Sequence, residues 1–128
     1  MKNEKLQQSI FEDPLSQKSF SFGLRIIKLY LYLKTEHKEF VLSKQILRSG
    51  TSIGAMIQES HFAQSKADFI NKLSVALKEA NETRYWLYLL AESNFIQPHM
   101  LKSILPDIED LIKMLVSSTK TAKQNNAK

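Results

Sequence analysis

Apolar residues recur at alternating steps of four and three in separate segments of this 128-residue chain, and that spacing restricts the fold more than any other feature. Such steps place side chains along one face of an α-helix, whereas a half-buried β-strand requires strict alternation. No segment of the sequence sustains that alternation. The most regular stripe consists of Phe69, Leu73, Ala76, Ala80, Thr83, Leu87 and Leu90.

Two of the periodic segments begin with residues that are typical of helix starts. Asp13 precedes Pro14, so that an acidic cap is followed by the imino acid that suits the first helical position. Ser65 lies three residues before Asp68, which resembles a capping box with Asp in place of Glu. With these starts, the spacing predicts helices over about residues 15–37, 41–64, 65–93 and 98–120.

Four amphipathic helices joined by short turns predict an all-α protein, an up-down-up-down four-helix bundle. We assign the bundle to residues 13–116. Residues 1–12 are expected to form a loosely ordered arm, because they are polar and lack sustained periodicity. Residues 117–128 are also polar and are expected to form a frayed or disordered tail.

The second and fourth predicted helices contain residues that disfavour regular helix. Pro106 lacks a backbone donor, so the fourth helix should either kink there or break and restart. Gly50 and Gly54 lie one turn apart in the second helix, and each costs about 1 kcal/mol relative to alanine. We therefore predict a close helix–helix contact at these glycines, within the chain or between chains.

The C-terminal half of the third helix is apolar almost all round, more than one bundle can bury. The surplus predicts a subunit interface formed by Tyr85, Trp86, Tyr88 and Leu89.

Composition and spacing argue against most catalytic chemistry. The chain has no Cys and three Gly, and it contains no Glu-x-x-His pair, Walker loop or Gly-x-Ser-x-Gly elbow. Its three His lie near predicted helix ends and share no face. We therefore expect no metal site, no cofactor and no enzymatic activity. The longest apolar run and the polar N-terminal residues indicate neither a membrane span nor a secretory signal, which favours a cytoplasmic protein without a membrane partner.

The chain is mildly basic, with 18 Lys and Arg against 13 Asp and Glu and a net charge of +5. Basic residues recur on single helix faces, and such stripes can neutralise phosphates. One alternative is an ordinary solvated surface. The candidate nucleic-acid-binding residues are Lys18, Arg25 and Lys28 in the first helix, Lys44 and Arg48 in the second, and Lys78 and Arg84 in the third.

Several sequence blocks together resemble a bacterial family. The longest are VLSKQILRSGTSIGA over residues 41–55, AQSKADF over residues 63–69, and ALKEA over residues 76–80. Over residues 14–116 the chain is similar to the four-helix bundle proteins encoded by intervening sequences in 23S ribosomal RNA genes, often labelled S23 ribosomal proteins. One departure is Met56, where the family usually has Asn.

The resemblance implies a homopentameric, barrel-like ring. It also implies relatedness to the accessory protein of diversity-generating retroelements, which binds nucleic acid and a reverse transcriptase through basic residues. We therefore expect a non-enzymatic homo-oligomer that binds structured RNA or DNA. The alternatives are a protein–protein scaffold or accessory subunit, for example of a reverse transcriptase, and a mobile-element passenger with no direct role at nucleic acid.

Overall fold

Four α-helices account for nearly all of the residues 11–127 that the computed structural model describes. No β-strand occurs within that range, so the predicted all-α class is confirmed there. The helices are α1 (Pro14–His37), α2 (Leu42–Ser60), α3 (Lys66–Glu92) and α4 (Pro98–Ala127).

Each helix packs against the next one along the chain, and α4 returns to α1, which confirms the four-helix bundle. Among the described residues the diagonal pairs, α1 with α3 and α2 with α4, do not pack together. The contact between α1 and α4 is the least extensive of the four. The bundle therefore has three well-packed seams and one looser seam.

The α3 stripe faces the core as its spacing predicted, with six of its seven residues buried and Phe69 partly buried. Two buried hydroxyls meet where α2 packs on α3. Thr83 Oγ1 is 2.9 Å from Ser49 Oγ of α2, and it is 2.8 Å from the Glu79 carbonyl oxygen. Because buried polar groups need partners, this pair favours one register of α2 against α3. Met56, at the position where the family usually has Asn, packs against the core from its edge.

The starts of α1 and α3 are capped by side chains. The backbone N–H of Ser16 donates to Asp13 Oδ2 at 2.9 Å, and Pro14 occupies the first turn of α1. The backbone N–H of Asp68 donates to Ser65 Oγ at 3.0 Å. These bonds satisfy donors that a helix start leaves free.

The structure decides between the two alternatives for α4 at Pro106 and extends the helix beyond its predicted end. Helix α4 is continuous through Pro106, so the alternative of a break and restart is wrong. It also continues to Ala127, whereas residues 117–128 were expected to be frayed or disordered. The reason for this extension is that Thr119 and Ala122 continue the core-facing stripe from Leu115 and are buried, although neither is strongly apolar. Of the predicted N-terminal arm, residues 1–10 lie outside the described residues.

The two glycines of α2 face α1 within the same chain. A Cβ built at Gly50 would lie 2.7 Å from Ile26 Cγ1 and 2.8 Å from Ile26 Cγ2. A Cβ at Gly54 would meet Ser19 Oγ at 3.4 Å. Since Ile26 is fully buried and branched at Cβ, it has little freedom to move aside.

We predict opposite effects for alanine at two helical glycines. Gly50→Ala should lower the free energy of unfolding, because overpacking costs about 1–3 kcal/mol and the gain in helix propensity returns only about 1 kcal/mol. Gly23→Ala in α1 should raise it by about 0.5–1 kcal/mol, since a Cβ there meets nothing within 4 Å. Urea unfolding at one fixed protein concentration measures both, and stabilisation by Gly50→Ala would contradict the close contact.

Candidate nucleic-acid and subunit interfaces

The predicted basic stripe of α1 is largely neutralised by α4. Lys18 Nζ lies 3.1 Å from Asp110 Oδ2. Arg25 Nη1 donates to Asp107 Oδ2 at 2.7 Å, and Arg25 Nη2 donates to Ser103 Oγ at 2.7 Å. Two of the three cations of the stripe are therefore ion-paired across the α1–α4 seam.

Arg25 also contacts the backbone of α4 near Pro106. Its Nη1 donates to the Ser103 carbonyl oxygen at 3.1 Å. The carbonyl that loses its helical donor to Pro106 is that of Lys102, four residues earlier, so the Arg25 bond does not replace it. Because a guanidinium has several donors in one plane, Arg25 bonds to the Asp107 carboxylate and to the Ser103 hydroxyl and carbonyl together. Arg25 thus has a structural role that its place in a basic stripe did not indicate.

Arg48 is paired in the same way across the seam between α2 and α3. Its Nη1 donates to Glu79 Oε2 at 2.7 Å, and its Nη2 pairs with Glu82 Oε2. Trp86 Nε1 donates to the same Glu82 oxygen at 3.2 Å. The hydrogen bond that Arg48 donates to Glu79 raises the pKa of Arg48 despite partial burial, and the charges of Glu79 and Glu82 add to that effect.

The remaining predicted cations have no acidic partner among the described residues. Lys28, Lys44 and Lys78 are exposed and form no ion pair or hydrogen bond there. Arg84 Nη2 donates to Asn81 Oδ1 at 3.3 Å. The α1 stripe lies at the α1–α4 seam, whereas Arg48 lies at the α2–α3 seam on the other side of the bundle. One subunit therefore does not bring the two stripes onto one surface.

Apolar side chains are exposed on two diagonally opposite helices. On α1, Ile27 and Leu31 are 42% and 51% exposed, and we call them the α1 patch. On α3, Tyr85 and Tyr88 are 58% and 42% exposed, and we call them the α3 patch. Each pair is spaced for one helix face. The other two predicted interface residues, Trp86 and Leu89, are half-buried within the subunit.

A shallow apolar groove of about 250 Å³ runs beside the α1 patch, between α1 and α2. Small residues keep it open, and none of the described residues that line it is charged. Phe11 lies over one end, with its ring centroid 5.1 Å from that of Phe20. The residues that α1 and α2 contribute to its floor include Gly23, Leu24, Ile27, Gly54 and Ala55.

A cluster of Asp, Ser and His joins the start of α1 to the end of α2. Sequence analysis did not find it, because His61 lies 45 residues after Ser16 in the chain. Ser16 Oγ is 3.1 Å from His61 Nε2, and Asp13 Oδ1 is 3.5 Å from the same nitrogen. Gln58 Nε2 donates to Ser16 Oγ at 2.9 Å. A hydrolytic triad needs the acid on one ring nitrogen and the nucleophile on the other. Here both meet Nε2, so the cluster connects two helices and has no relay geometry.

Within the described part of the chain, no group of three His, Asp or Glu is placed to hold a metal ion. None of the four helices, over the residues described, is both long and apolar enough to cross a membrane.

We predict that the Asp13 cap makes the bundle sensitive to acid. Burial raises the pKa of Asp13, but hydrogen bonds from Ser16 and the charge of His61 outweigh it, so the pKa lies below the ordinary value of 3.8. A lowered folded pKa adds stability above the unfolded pKa, and that stability is lost as the pH falls through the folded value. Asp13→Asn keeps a cap and should therefore lose less stability than the native chain as the pH falls below 3.8.

Thermal unfolding at neutral and acidic pH measures this difference. Glu12→Gln removes an exposed neighbouring carboxyl that has no partner among the described residues, so it serves as the control. If Asp13→Asn and the native chain lose the same stability between neutral and acidic pH, protonation of Asp13 is not the cause of the acid sensitivity. Asp13→Ala should cost about 0.5–2 kcal/mol at neutral pH, because it removes the cap itself.

Comparison with known proteins extends these observations. The model of the family described as 23S rRNA-intervening sequence protein matches residues 14–117. A crystal structure from Bacteroides thetaiotaomicron VPI-5482, of a protein with unknown function from the S23 ribosomal protein family, is 56% identical to this chain. The match covers 83% of this chain and 98% of that chain, with a TM-score of 0.82. No curated protein matches the chain.

Proposed function

We propose that this chain, which belongs to the 23S rRNA-intervening sequence protein family, is a non-enzymatic bundle that forms a ring and binds the phosphate backbone of RNA or DNA. The observation that supports the ring is the placement of two exposed apolar patches on diagonally opposite helices. The charge that supports nucleic-acid binding comes from exposed lysines that have no partner among the described residues.

A dimer related by a two-fold axis would cover one patch against its own copy and leave the other exposed. A heterologous contact, with the α3 patch of one subunit against the α1 patch of the next, covers both patches in every subunit. Such contacts close into a ring when their rotation closes. The groove of about 250 Å³ beside the α1 patch offers space for a tyrosine ring of the neighbour. Five subunits is the number that the family resemblance implies.

Light scattering after size exclusion tests the ring. The native chain should give a mass several times 14.8 kDa. Ile27→Glu/Leu31→Glu and Tyr85→Glu/Tyr88→Glu should each give monomers. Their mixture should give a dimer, because only one intact α1 patch and one intact α3 patch remain to pair.

Gln45→Glu, which adds a charge at an exposed position of α2, is the control and should keep the native mass. A monomeric native chain at tens of micromolar would contradict the ring. So would oligomers formed by either double variant alone, because they would show that a patch pairs with itself.

Nucleic-acid binding would depend on several weak contacts, the same ones from each subunit of the ring. Each subunit has a net charge of +5, and a ring repeats every unpaired lysine at a fixed spacing, so several contacts act together. Lysines bind phosphate as point charges, which favours backbone contacts without base readout. Lys44 and Lys78 are the clearest candidates, because both are exposed and neither has a partner among the described residues.

Fluorescence anisotropy with a structured ribosomal RNA fragment and a matched DNA duplex tests the binding across a salt series. Affinity should fall steeply as salt rises, and Lys44→Glu/Lys78→Glu should abolish it. Lys66→Glu/Lys113→Glu makes the same change in net charge at two other exposed lysines and should retain most of the binding. No binding by the native chain at low salt, or equal loss in both variants, would contradict the assigned residues.

One observation favours a second function, that of a protein scaffold or accessory subunit. Arginine is the residue best suited to bidentate phosphate contacts, and both Arg25 and Arg48 are held by carboxylates of their own subunit. If the native chain forms the ring but binds no nucleic acid, the scaffold becomes the better account of the structure.

A further inference from the structure

A cleft of about 400 Å³ opens at the looser seam of the bundle, between the C-terminal half of α1 and the N-terminal half of α4. Its floor reaches the core, since Leu29, Ile96 and Ile104 line it and each is at least nine-tenths buried. Met100 completes the apolar lining. This volume lies within the range of about 300–1,000 Å³ that is common for small-molecule sites.

The polar groups of the cleft are cationic or neutral. Lys28 and His99 are exposed at its rim and have no hydrogen bond or ion pair among the described residues. Arg25 lines it as well, but its guanidinium is held by Asp107 and Ser103. No Asp or Glu is among the described residues that line the cleft. Positive charge therefore stands over an apolar floor.

We propose that this cleft binds a small amphipathic anion, an organic molecule with an apolar body and one carboxylate or sulfonate group. The body would lie on Leu29, Ile96 and Ile104, where it removes apolar surface from water. The acidic group would meet Lys28 Nζ and His99 at the rim, where a charge-assisted hydrogen bond is stronger than a neutral one. Nucleic acid fits this site less well, because a polyanion makes little use of an apolar floor.

The groove between α1 and α2 provides an internal comparison. It too is apolar, at about 250 Å³, but none of its described lining residues carries a charge. Binding of a neutral apolar probe should therefore not depend on Lys28 at either site. An anionic probe should bind the cleft more tightly than the groove. The inference is independent of the proposed function, since the cleft is complete within one subunit.

The test uses the fluorescent naphthalene sulfonate dye ANS and its uncharged analogue N-phenylnaphthylamine, titrated into the full chain. ANS should bind, and sodium decanoate should displace it. Lys28→Gln should weaken ANS binding about five- to tenfold and leave binding of the uncharged dye unchanged. Lys44→Gln, at an unpaired exposed lysine outside the cleft, should change neither.

Two tryptophan variants assign the site. Met100→Trp fills the cleft and should abolish the ANS signal that decanoate displaces, whereas Ala55→Trp fills the α1–α2 groove and should retain it. Circular dichroism establishes that both variants are folded, and Lys28→Gln tests the proposal without any change in the core. Unchanged ANS affinity in Lys28→Gln, loss of binding in Ala55→Trp instead of Met100→Trp, or an equal loss of affinity for both dyes in Lys28→Gln would overturn it.

Discussion

The contact between Ile26 of α1 and Gly50 of α2 determines how the rest of the bundle can close. Because Gly50 has no side chain, α1 approaches α2 until the branched Ile26 meets the helix surface directly. On its other side, α1 packs on α4 less extensively than any other pair of neighbouring helices. The α1–α4 seam is bridged by the ion pairs of Lys18 and Arg25, and it retains the 400 Å³ cleft. Exposed ion pairs stabilise weakly, by about 0–1 kcal/mol each, so this seam is held less firmly than the apolar ones.

The same arrangement explains why basic residues on one helix face have different roles. The spacing of basic residues on one helix indicates which of them lie on the same face. Whether each forms an ion pair depends on the acidic residues of the neighbouring helix. Arg25 meets Asp107 of α4, and Arg48 meets Glu79 of α3. Lys28 lies on the same face of α1 as Arg25, but it forms no ion pair with a carboxylate among the described residues. The consequence is that the guanidinium groups stabilise the subunit, and the positive charge available to an outside partner comes mainly from lysine.

The sequence was sufficient for the features that depend on one helix at a time. The starts of α1 and α3 follow from Asp13 and Ser65, and the buried face of α3 follows from its repeat. The sequence did not predict where α4 ends, because Thr119 is not apolar and is buried only through its position on the core-facing stripe. The ion pairs across the seams were also missed, since they depend on how neighbouring helices are rotated and offset. The rotation and offset of neighbouring helices depend on contacts such as that between Gly50 and Ile26. The spacing of residues along one helix does not indicate which residue of another helix it will meet.

The two proposals use different parts of the bundle surface. In a ring built from α1–α3 contacts, every subunit would be covered on those two sides, and α2 and α4 would remain as the free faces. Helix α4 carries exposed lysines that have no partner among the described residues, including Lys102, Lys113, Lys120 and Lys123. Helix α2 contributes Lys44 near its start, while Arg48 stays paired with α3. Lysines with no partner among the described residues therefore lie on both of these helices, and α4 also carries Asp107, Glu109 and Asp110. The cleft with Lys28 and His99 opens beside α4, so a bound anion there would reduce the positive charge on that side of the bundle.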